Sequence, residues 1–351
     1  MTSIKDIAKI VGVSPATVSR VVNGKKYVKA ELRERILAVV KETGYVPNNA
    51  ARSMVLQRTF TIGIVIPDTF NMFQRQLFSA IERKLEGYGY RTRFFLVKGE
   101  SGSELACLRR LKAEMLDGVI LLYEIAQPAF YDFLAKDGMP VVLCTFDKEG
   151  YGFAAVHIDE EAAARAATEH LIGLGHRRIG LIGGSQYSFG QKRRRGFRAA
   201  LSRAGIREDD RYIVLAPSYT SAEGRVGMAE LLSRKLDLSA VFATTDELAV
   251  GAIRALYEAG FKVPRDVSII GFDDIDISIN LAPSLSTVHQ PIAEMGSKAA
   301  DLIYGLIMGE AVSKAPCVLP FSVVSRETTR PFAKEAPRAR RKERGKTGEG
   351  A

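Results

Sequence analysis

Residues 4–24 read IKDIAKIVGVSPATVSRVVNG, and their spacing sets the fold of the N-terminal head. Ile4, Ile7, Ala8 and Val11 recur at intervals of three and four, which lines one side of a helix. Gly12 ends that helix. Ser14 followed by Pro15 starts another, because the serine side chain caps free N–H groups and proline is pre-set for the first helical position. Val18, Val21 and Val22 give the second helix its inward face, and it stops near Asn23-Gly24. Ala8 is small where two helices must cross closely. A third helix carries Leu32, Ile36, Val39 and Val40 and stops at Gly44, though its start at Val28-Lys29-Ala30 lacks a good cap. Three short helices in this order make a helix-turn-helix. With the valines inward, Pro15, Ala16, Ser19, Arg20 and Asn23 face outward from the second helix, which fits the DNA major groove with its first turn nearest the base edges. Arg20 can donate two hydrogen bonds to a guanine, Ala16 can touch a thymine methyl, and Thr17 and Ser19 can reach phosphates.

Charge supports a polyanion partner for this head. Residues 1–58 hold eleven Lys/Arg against four Asp/Glu, residues 333–351 hold seven against three, and the remaining middle carries −1 of the total +10. A basic head on a near-neutral body fits a nucleic acid at one end. The tail, with PRARRKERGKTGEGA, has almost no apolar residues and reads as disordered and solvated. Between head and body, Pro47, Asn48 and Asn49 are turn formers, and Ala50 to Leu56 can make one short helix; residues 47–58 read as a conditional linker.

From Thr59 the pattern alternates strand and helix. Apolar runs at 61–66, 93–97, 118–122, 140–144, 154–158, 178–183, 211–216, 239–243 and 267–272 read as buried parallel strands. Helical faces lie between most of them, and Gly89, Gly175, Gly205 and Gly260 close those helices. Such alternation specifies doubly wound α/β layers. Residues 61–66 and 178–183 echo each other, each followed by a loop and a helix, so two similar lobes with a cleft between them are expected.

The chain has 351 residues, enough for two or three domains at ~100–200 residues each. No apolar run reaches the ~18 residues of a membrane span, and the N-terminus has no basic-then-apolar export pattern. Cys107, Cys144 and Cys317 are too few and too far apart for a disulfide framework or a zinc site, and they read as buried thiols of a reducing cytoplasm. No catalytic constellation, cofactor or metal site is expected. The four histidines, His157, His170, His176 and His289, are scattered. No phosphate loop or GxGxxG turn occurs, and Asp273-Asp274-Ile275-Asp276 lacks the glycine and distal glutamate of a calcium loop.

The opening stretch, together with ERILAVVKETGYVPNNAARSM, resembles the lactose-repressor/purine-repressor family of bacterial transcription regulators. TIGIVIPD, ATEHLIGLGHRRIGLIGG, RRRGFRAAL, FATTDELAVGAIRAL, GFKVPRDVSIIGFDD and LAPSLSTVHQP continue the match over about residues 3–330. The resemblance implies an all-α helix-turn-helix head at 1–46, a hinge helix at 47–58, and a periplasmic-binding-protein-like body at 59–332. Its N-lobe would comprise about 59–160 plus 291–320 and its C-lobe about 161–290 plus 321–332, followed by the basic tail at 333–351. It also implies a homodimer on a pseudo-palindromic operator in double-stranded DNA, one head per half-site, controlled by a small effector such as a sugar. Ser14 and Asn49 join the DNA-facing set. Met54 stands where purine-repressor-like members carry a leucine that wedges into the minor groove, and methionine is apolar and flexible enough for that. With no apolar heptad in the tail, the assembly stops at a dimer.

Carried over by position, the effector pattern falls on Phe73, Asp159, Arg193, Tyr219, Thr245 and Asp273. Phe73 and Tyr219 can stack on a ring or serve as core. Arg193 stands three residues before Gly196-Phe197, in a run of three arginines, and can clamp hydroxyls or a carboxylate. Asp273 can accept from ligand hydroxyls or amines. Thr245 replaces the family's usual asparagine, which removes an amide with two donors. Asp159 marks the lobe crossover, and Glu160 follows it where the family often has asparagine. The alternative, an α/β sugar-binding protein or enzyme with an accessory basic head, needs an export signal or a catalytic set.

Overall fold

Three helices form the head. The computed structural model describes residues 3–22, 28–45, 58–68, 71–98, 102–184 and 187–333; Asn23, Asn49, Met54, nearly all of the linker and the tail lie outside them. α1 (Ile4–Val11) buries Ile7, Ala8 and Val11, α2 (Pro15–Val22) buries Val18 and Val21, and α3 (Ala30–Glu42) sets Ile36 against both. Ser3 and Asp6 cap α1 reciprocally, which satisfies two donors that a helix start leaves free. Gly12, at φ 75°, lets the chain turn so that the Val13 N–H reaches the Ala8 carbonyl at 2.9 Å. Ser14 then accepts from the Thr17 N–H at 3.2 Å, the restart expected of Ser-Pro. Lys29, ahead of α3, makes no side-chain cap bond.

The chain enters the body through a carboxylate clamp. Asp117 accepts from the N–H groups of Thr59 and Phe60 at 2.7 and 2.9 Å, while Arg58 donates to the Ile307 carbonyl at 3.1 Å. The first sheet is wholly parallel and ordered β11-β5-β4-β3-β1-β2, from β1 (Thr61–Pro67), β2 (Arg91–Val97), β3 (Gly118–Leu121), β4 (Val141–Cys144), β5 (Ala154–Ile158) and β11 (Cys317–Leu319). α4 (Met72–Gly87) and α12 (Ile292–Met308) cover one face. α5 (Ser103–Ala113) and α6 (Pro128–Asp137) cover the other. Covered on both faces, β3 and β4 are apolar throughout and β1 is apolar after Thr61.

The second sheet is also parallel, ordered β7-β6-β8-β9, from β6 (Ile179–Gly184), β7 (Ile213–Ala216), β8 (Ala240–Ala243) and β9 (Ser268–Ile270). α7 (Glu160–Gly173) and α8 (Ser188–Arg203) pack on one face, α9 (Ser221–Ser233) and α10 (Asp246–Glu258) on the other. β10 (Thr287–His289) and β12 (Ser322–Val324) form an antiparallel ribbon beside it, with the short α11 (Ile277–Asn280) nearby. The chain passes between the sheets three times: at 158–160, at 289–292 and at 319–322. All nine expected strands are present; β10, β11 and β12 are additional. Cys107 and Cys144 are buried free thiols, and burial pushes Cys107 up to about 11. Cys317 is only partly buried, because its strand is an edge of the first sheet. Among the described residues no helix is long and apolar enough to cross a membrane, and no group of His, Cys, Asp and Glu is arranged to hold a metal.

α9 and α10 meet backbone to backbone. A Cβ on Gly251 would overlap the Ser221 carbonyl, and one on Gly224 would overlap the Leu248 carbonyl. Gly251→Ala is therefore expected to cost at least about 1–3 kcal/mol of stability, the usual range for overpacking. At roughly 2–4 °C per kcal/mol, its thermal midpoint falls several degrees. Gly87→Ala, at a helical site with open space around it, leaves the midpoint unchanged or slightly raised.

Candidate functional site

The outer face of α2 is the first candidate surface. Ser14, Pro15, Ala16 and Arg20 are exposed there, and Thr17 and Ser19 are half-buried. Thr17 shares its hydroxyl with Ser14 at 2.9 Å, so both side chains are ordered at the start of the helix. Arg20 leaves the face one turn later, beyond the buried Val18.

The second site is a cleft at the carboxyl ends of the parallel strands of both sheets, where side chains following β1, β3, β4, β7, β8 and β9 converge. Its inner chamber, about 70 Å³, is lined by Phe73, Glu160, Phe189, Arg193, Tyr219, Thr245 and Asp273 among others. Arg193, on α8, is 4% exposed. Its Nε donates to Glu160 Oε2 at 2.6 Å, its Nη1 donates to the Thr244 carbonyl, and Nη1 stands 3.5 Å from Asp273 Oδ1. The guanidinium lies over the Phe272 ring at 3.6 Å. A charge buried this deeply persists only when paired and hydrogen-bonded. Burial pushes the Asp273 carboxyl well above the usual carboxylate range, against the pull of Arg193. Asp273 sits at φ 122°, a backbone conformation that is strained for a non-glycine residue. The chain that crosses between lobes holds it there: Gln290 Nε2 donates to Asp273 Oδ1 at 2.7 Å, and the Asp273 N–H reaches the Val288 carbonyl at 2.9 Å.

Thr245 caps α10, accepting from the Leu248 N–H at 3.2 Å, and also borders the inner chamber. Beside it Asp246 is fully buried, accepting from Ser278 and Thr287 hydroxyls at 2.6 Å and from the Ile275 N–H at 3.0 Å. It fastens β8 to the segment after β9 and faces away from the cleft. Phe73 is half-buried on the first turn of α4. Tyr219 packs at 4.9 Å from Phe189 and 5.9 Å from Tyr187, and burial pushes its hydroxyl up.

Five of the six expected effector residues thus come together, and Asp159 does not. Asp159 is exposed and accepts from the Ala162 N–H at 2.9 Å as the cap of α7. A capping side chain turns back on its own helix, so it is the next residue, Glu160, that points inward and meets Arg193. Phe189, Phe272 and Gln290 were also outside the expected set. An outer chamber of about 200 Å³ adjoins the inner one and adds Asp68, Tyr123, Glu124, Tyr187 and Glu247. No local signal marks these five, since they lie on loops and helix starts of different lobes. A cavity of about 680 Å³ at the far end of the second sheet is ringed by arginines paired with local acids, such as Arg198 with Asp210 and Arg211 with Asp209. Its rim, with five arginines against three acids, lies at the amino ends of the strands, away from the convergence of Arg193, Asp273 and Glu160.

The lobes grip each other reciprocally. Glu247 of the second accepts from the Met72 N–H at the start of α4, at 2.9 Å, and Glu124 of the first accepts from the Ser188 N–H at the start of α8, at 3.2 Å. Lys192 adds a contact to Asp147 at 3.3 Å. A carboxylate at a helix N-terminus contributes about 0.3–1 kcal/mol, so the two together hold closure by about 0.6–2 kcal/mol. The double variant Glu124→Ala/Glu247→Ala is expected to open the ligand-free body, read as a larger radius of gyration in small-angle scattering. Scattering identical to the unaltered chain would place closure on other contacts.

Residues 3–48 match the model for bacterial regulatory proteins of the lacI family, and residues 168–329 match the periplasmic binding protein-like domain. The chain is 33% identical over 330 residues to catabolite control protein A of Priestia megaterium, covering 93% of this chain and 99% of that protein. Among solved structures it is similar to a complex of the transcriptional regulator CelR with cellobiose, at 30% identity and TM-score 0.72, covering 94% of this chain and 100% of that one. It is also similar to the lac repressor dimer bound to operator and the anti-inducer ONPF, at 28% identity and TM-score 0.81, covering 94% and 99%. With a helix-turn-helix head, two parallel-sheet lobes and these relatives along nearly its whole length, the chain belongs to the lacI family of bacterial regulatory proteins.

Proposed function

We propose that this chain is a transcriptional repressor that reads a pseudo-palindromic operator as a homodimer and is switched by a sugar or sugar derivative in the interlobe cleft. The observation that carries the reading is Arg193, held between Glu160 and Asp273 at the floor of the cleft. A fork of donors beside two acceptors, walled by aromatic rings, suits hydroxyls on a flat ring. Phe73, Tyr219 and Thr245 complete that wall. On the head, Ser14, Pro15, Ala16, Thr17, Ser19, Arg20 and Asn23 contact the DNA, as does Asn49 of the linker, with Met54 at the operator centre. The division into head 1–46, linker 47–58, body 59–332 and tail 333–351 belongs to the same proposal, as does action in the cytoplasm, where the DNA is.

Signal transfer follows from the clamp at the body entrance. Arg58 and the Asp117 carboxylate tie the end of the linker to β3 and α12 of the first lobe. A ligand that changes the angle between lobes therefore moves the linker ends of a dimer relative to each other. It shifts DNA affinity only by its differential affinity for the two lobe arrangements.

The test is a mobility-shift selection of palindromic duplexes with the purified full chain, repeated over a salt series, followed by sugars added to the selected complex. A salt-sensitive preference for one palindrome, altered by a sugar that also raises the melting temperature, supports the reading. DNA binding with no sequence preference, or a sugar that binds without changing it, favours the rival sugar-binding protein or enzyme with an accessory basic head.

A further inference from the structure

We propose that the cavity at the amino ends of the second sheet is a second ligand site, built for a nucleotide, with the phosphates on Arg177 and Arg207 and the base against Tyr212. It is separate from the interlobe cleft and does not rest on the reading of that cleft. The cavity, about 680 Å³, opens between the starts of β6 and β7 and the later turns of α8, with residues 206–212 along one side. Pockets for small molecules run to ~300–1,000 Å³, so the volume suits one.

Pairing among its charges is uneven. Arg211 grips Asp209 with two bonds, Nε to Oδ1 at 3.0 Å and Nη2 to Oδ2 at 2.6 Å, and this fork lowers the Asp209 carboxyl to about 2. Arg198 serves both Asp210, at 2.7 Å, and Glu208, at 3.5 Å. Arg178 is held at 3.1 Å by Asp237, which lies outside the lining. Arg177 and Arg207 are exposed and have no carboxylate within ion-pair distance among the described residues. Arg177 Nη1 donates to the carbonyls of Ile172 and His176, at 3.0 and 3.2 Å, which orients its guanidinium without neutralising it. The acids thus fix three of the arginines and leave two positive charges over, enough for a phosphate dianion. A guanidinium fork meets a phosphate with two parallel bonds. Arg198 adds a donor in want of an acceptor, since its Nε is buried and makes no hydrogen bond.

The rest of the lining is apolar. Phe197 and Leu201 are buried, and Ile206, Tyr212 and Ile213 are partly buried. An inorganic ion uses none of that surface, and an uncharged ring uses none of the arginines. A molecule with a flat ring and a phosphate uses both, its base lying on the tyrosine and isoleucines while its charge meets the guanidinium groups. Duplex DNA meets only the rim, because its bases are stacked inside and its phosphates run along a convex ridge.

The experiment is calorimetry and thermal shift on the full chain in a buffer free of phosphate and magnesium. The probes are AMP, GMP and ADP, with adenosine as the ring alone and phosphate and pyrophosphate as the charge alone. A nucleotide is expected to bind about tenfold tighter than either half of it. Arg177→Ala and Arg207→Ala, both at exposed positions that leave the fold intact, are each expected to weaken the nucleotide about tenfold and adenosine hardly at all. Tyr212→Ala is expected to weaken the nucleotide and adenosine while leaving phosphate unchanged. Phosphate or pyrophosphate binding as tightly as AMP or ADP means an adventitious ion only, and overturns the proposal. So does nucleotide binding that survives the double variant Arg177→Ala/Arg207→Ala, which places the ligand elsewhere. Silence of every nucleotide overturns it as well, and a double variant that then loses affinity for unrelated duplex would make the rim a contact for DNA phosphates. None of these outcomes bears on whether a sugar occupies the interlobe cleft.

Discussion

Arg193→Ala is expected to destabilise the body by about 3–5 kcal/mol, the usual result of removing one partner from a buried charge pair. At roughly 2–4 °C per kcal/mol, the melting temperature drops by about 10 °C. The size follows from what stays behind: Glu160 and Asp273, 5% and 4% exposed, lose the only cation that lines their chamber among the described residues. The loss should depend on pH in a definite direction. Burial already raises Asp273, so its folded form prefers the protonated carboxyl, and the stability this gives is present at low pH and is lost as pH rises through the raised value. Without Arg193 the pull that opposes burial is gone, and Asp273 takes a proton more readily still. The deficit between variant and unaltered chain is therefore largest near pH 8 and shrinks toward pH 5. Arg193→Met, which keeps volume and removes charge, should follow the same trend, whereas Arg193→Lys, which keeps charge and loses the fork, should lose less stability but still lose ligand response. Equal deficits at both pH values would show that lost packing over Phe272, and not the stranded carboxylates, sets the cost.

The contrast between Arg193 and Asp159 shows what a sequence makes legible. Arg193, Phe73, Tyr219, Thr245 and Asp273 lie at family motif positions, and the strand ends bring them together. Asp159 and Glu160 are neighbours, and which of them enters the cleft depends on where α7 starts within one residue, since the cap turns outward and the next side chain inward. The head was legible in detail because capping, turn glycine and valine spacing are local. Parallel strands covered on both faces announce themselves as apolar runs. β11 does not, because three residues pair with β5 some 160 positions earlier (Cys317 with Val156), and its burial is decided by that distant partner. α9 carries Gly224 and Gly227, poor helix formers that serve close approach to α10 and the second sheet. The outer chamber is assembled from the loop after β3, the start of α8 and the start of α10, and no periodicity links them.

Arg20→Ala is expected to weaken binding to the cognate operator far more than to unrelated DNA. Arg20 is exposed on the same side of α2 as Ala16, and its side chain is not part of the head's core of Ile7, Ala8, Val11, Val18, Val21 and Ile36. Its removal should therefore leave the head folded. If it donates its two-pronged fork to a guanine, each half-site loses about 1–3 kcal/mol. A homodimer carries the change twice, so operator affinity falls by roughly 2–6 kcal/mol, from about 30-fold to more than 10⁴-fold. Unrelated DNA offers only phosphates, and there the variant loses one cation per head, a modest drop with a slightly shallower salt dependence. The decisive arm pairs the variant with an operator altered at one base pair at a time. At the position Arg20 reads, the unaltered chain should lose affinity on the altered operator while the variant loses no more, and at other positions both should lose alike. Equal losses on operator and unrelated DNA, with no position at which the two effects overlap, would make Arg20 a phosphate contact and move base reading to the first turn at Pro15 and Ala16.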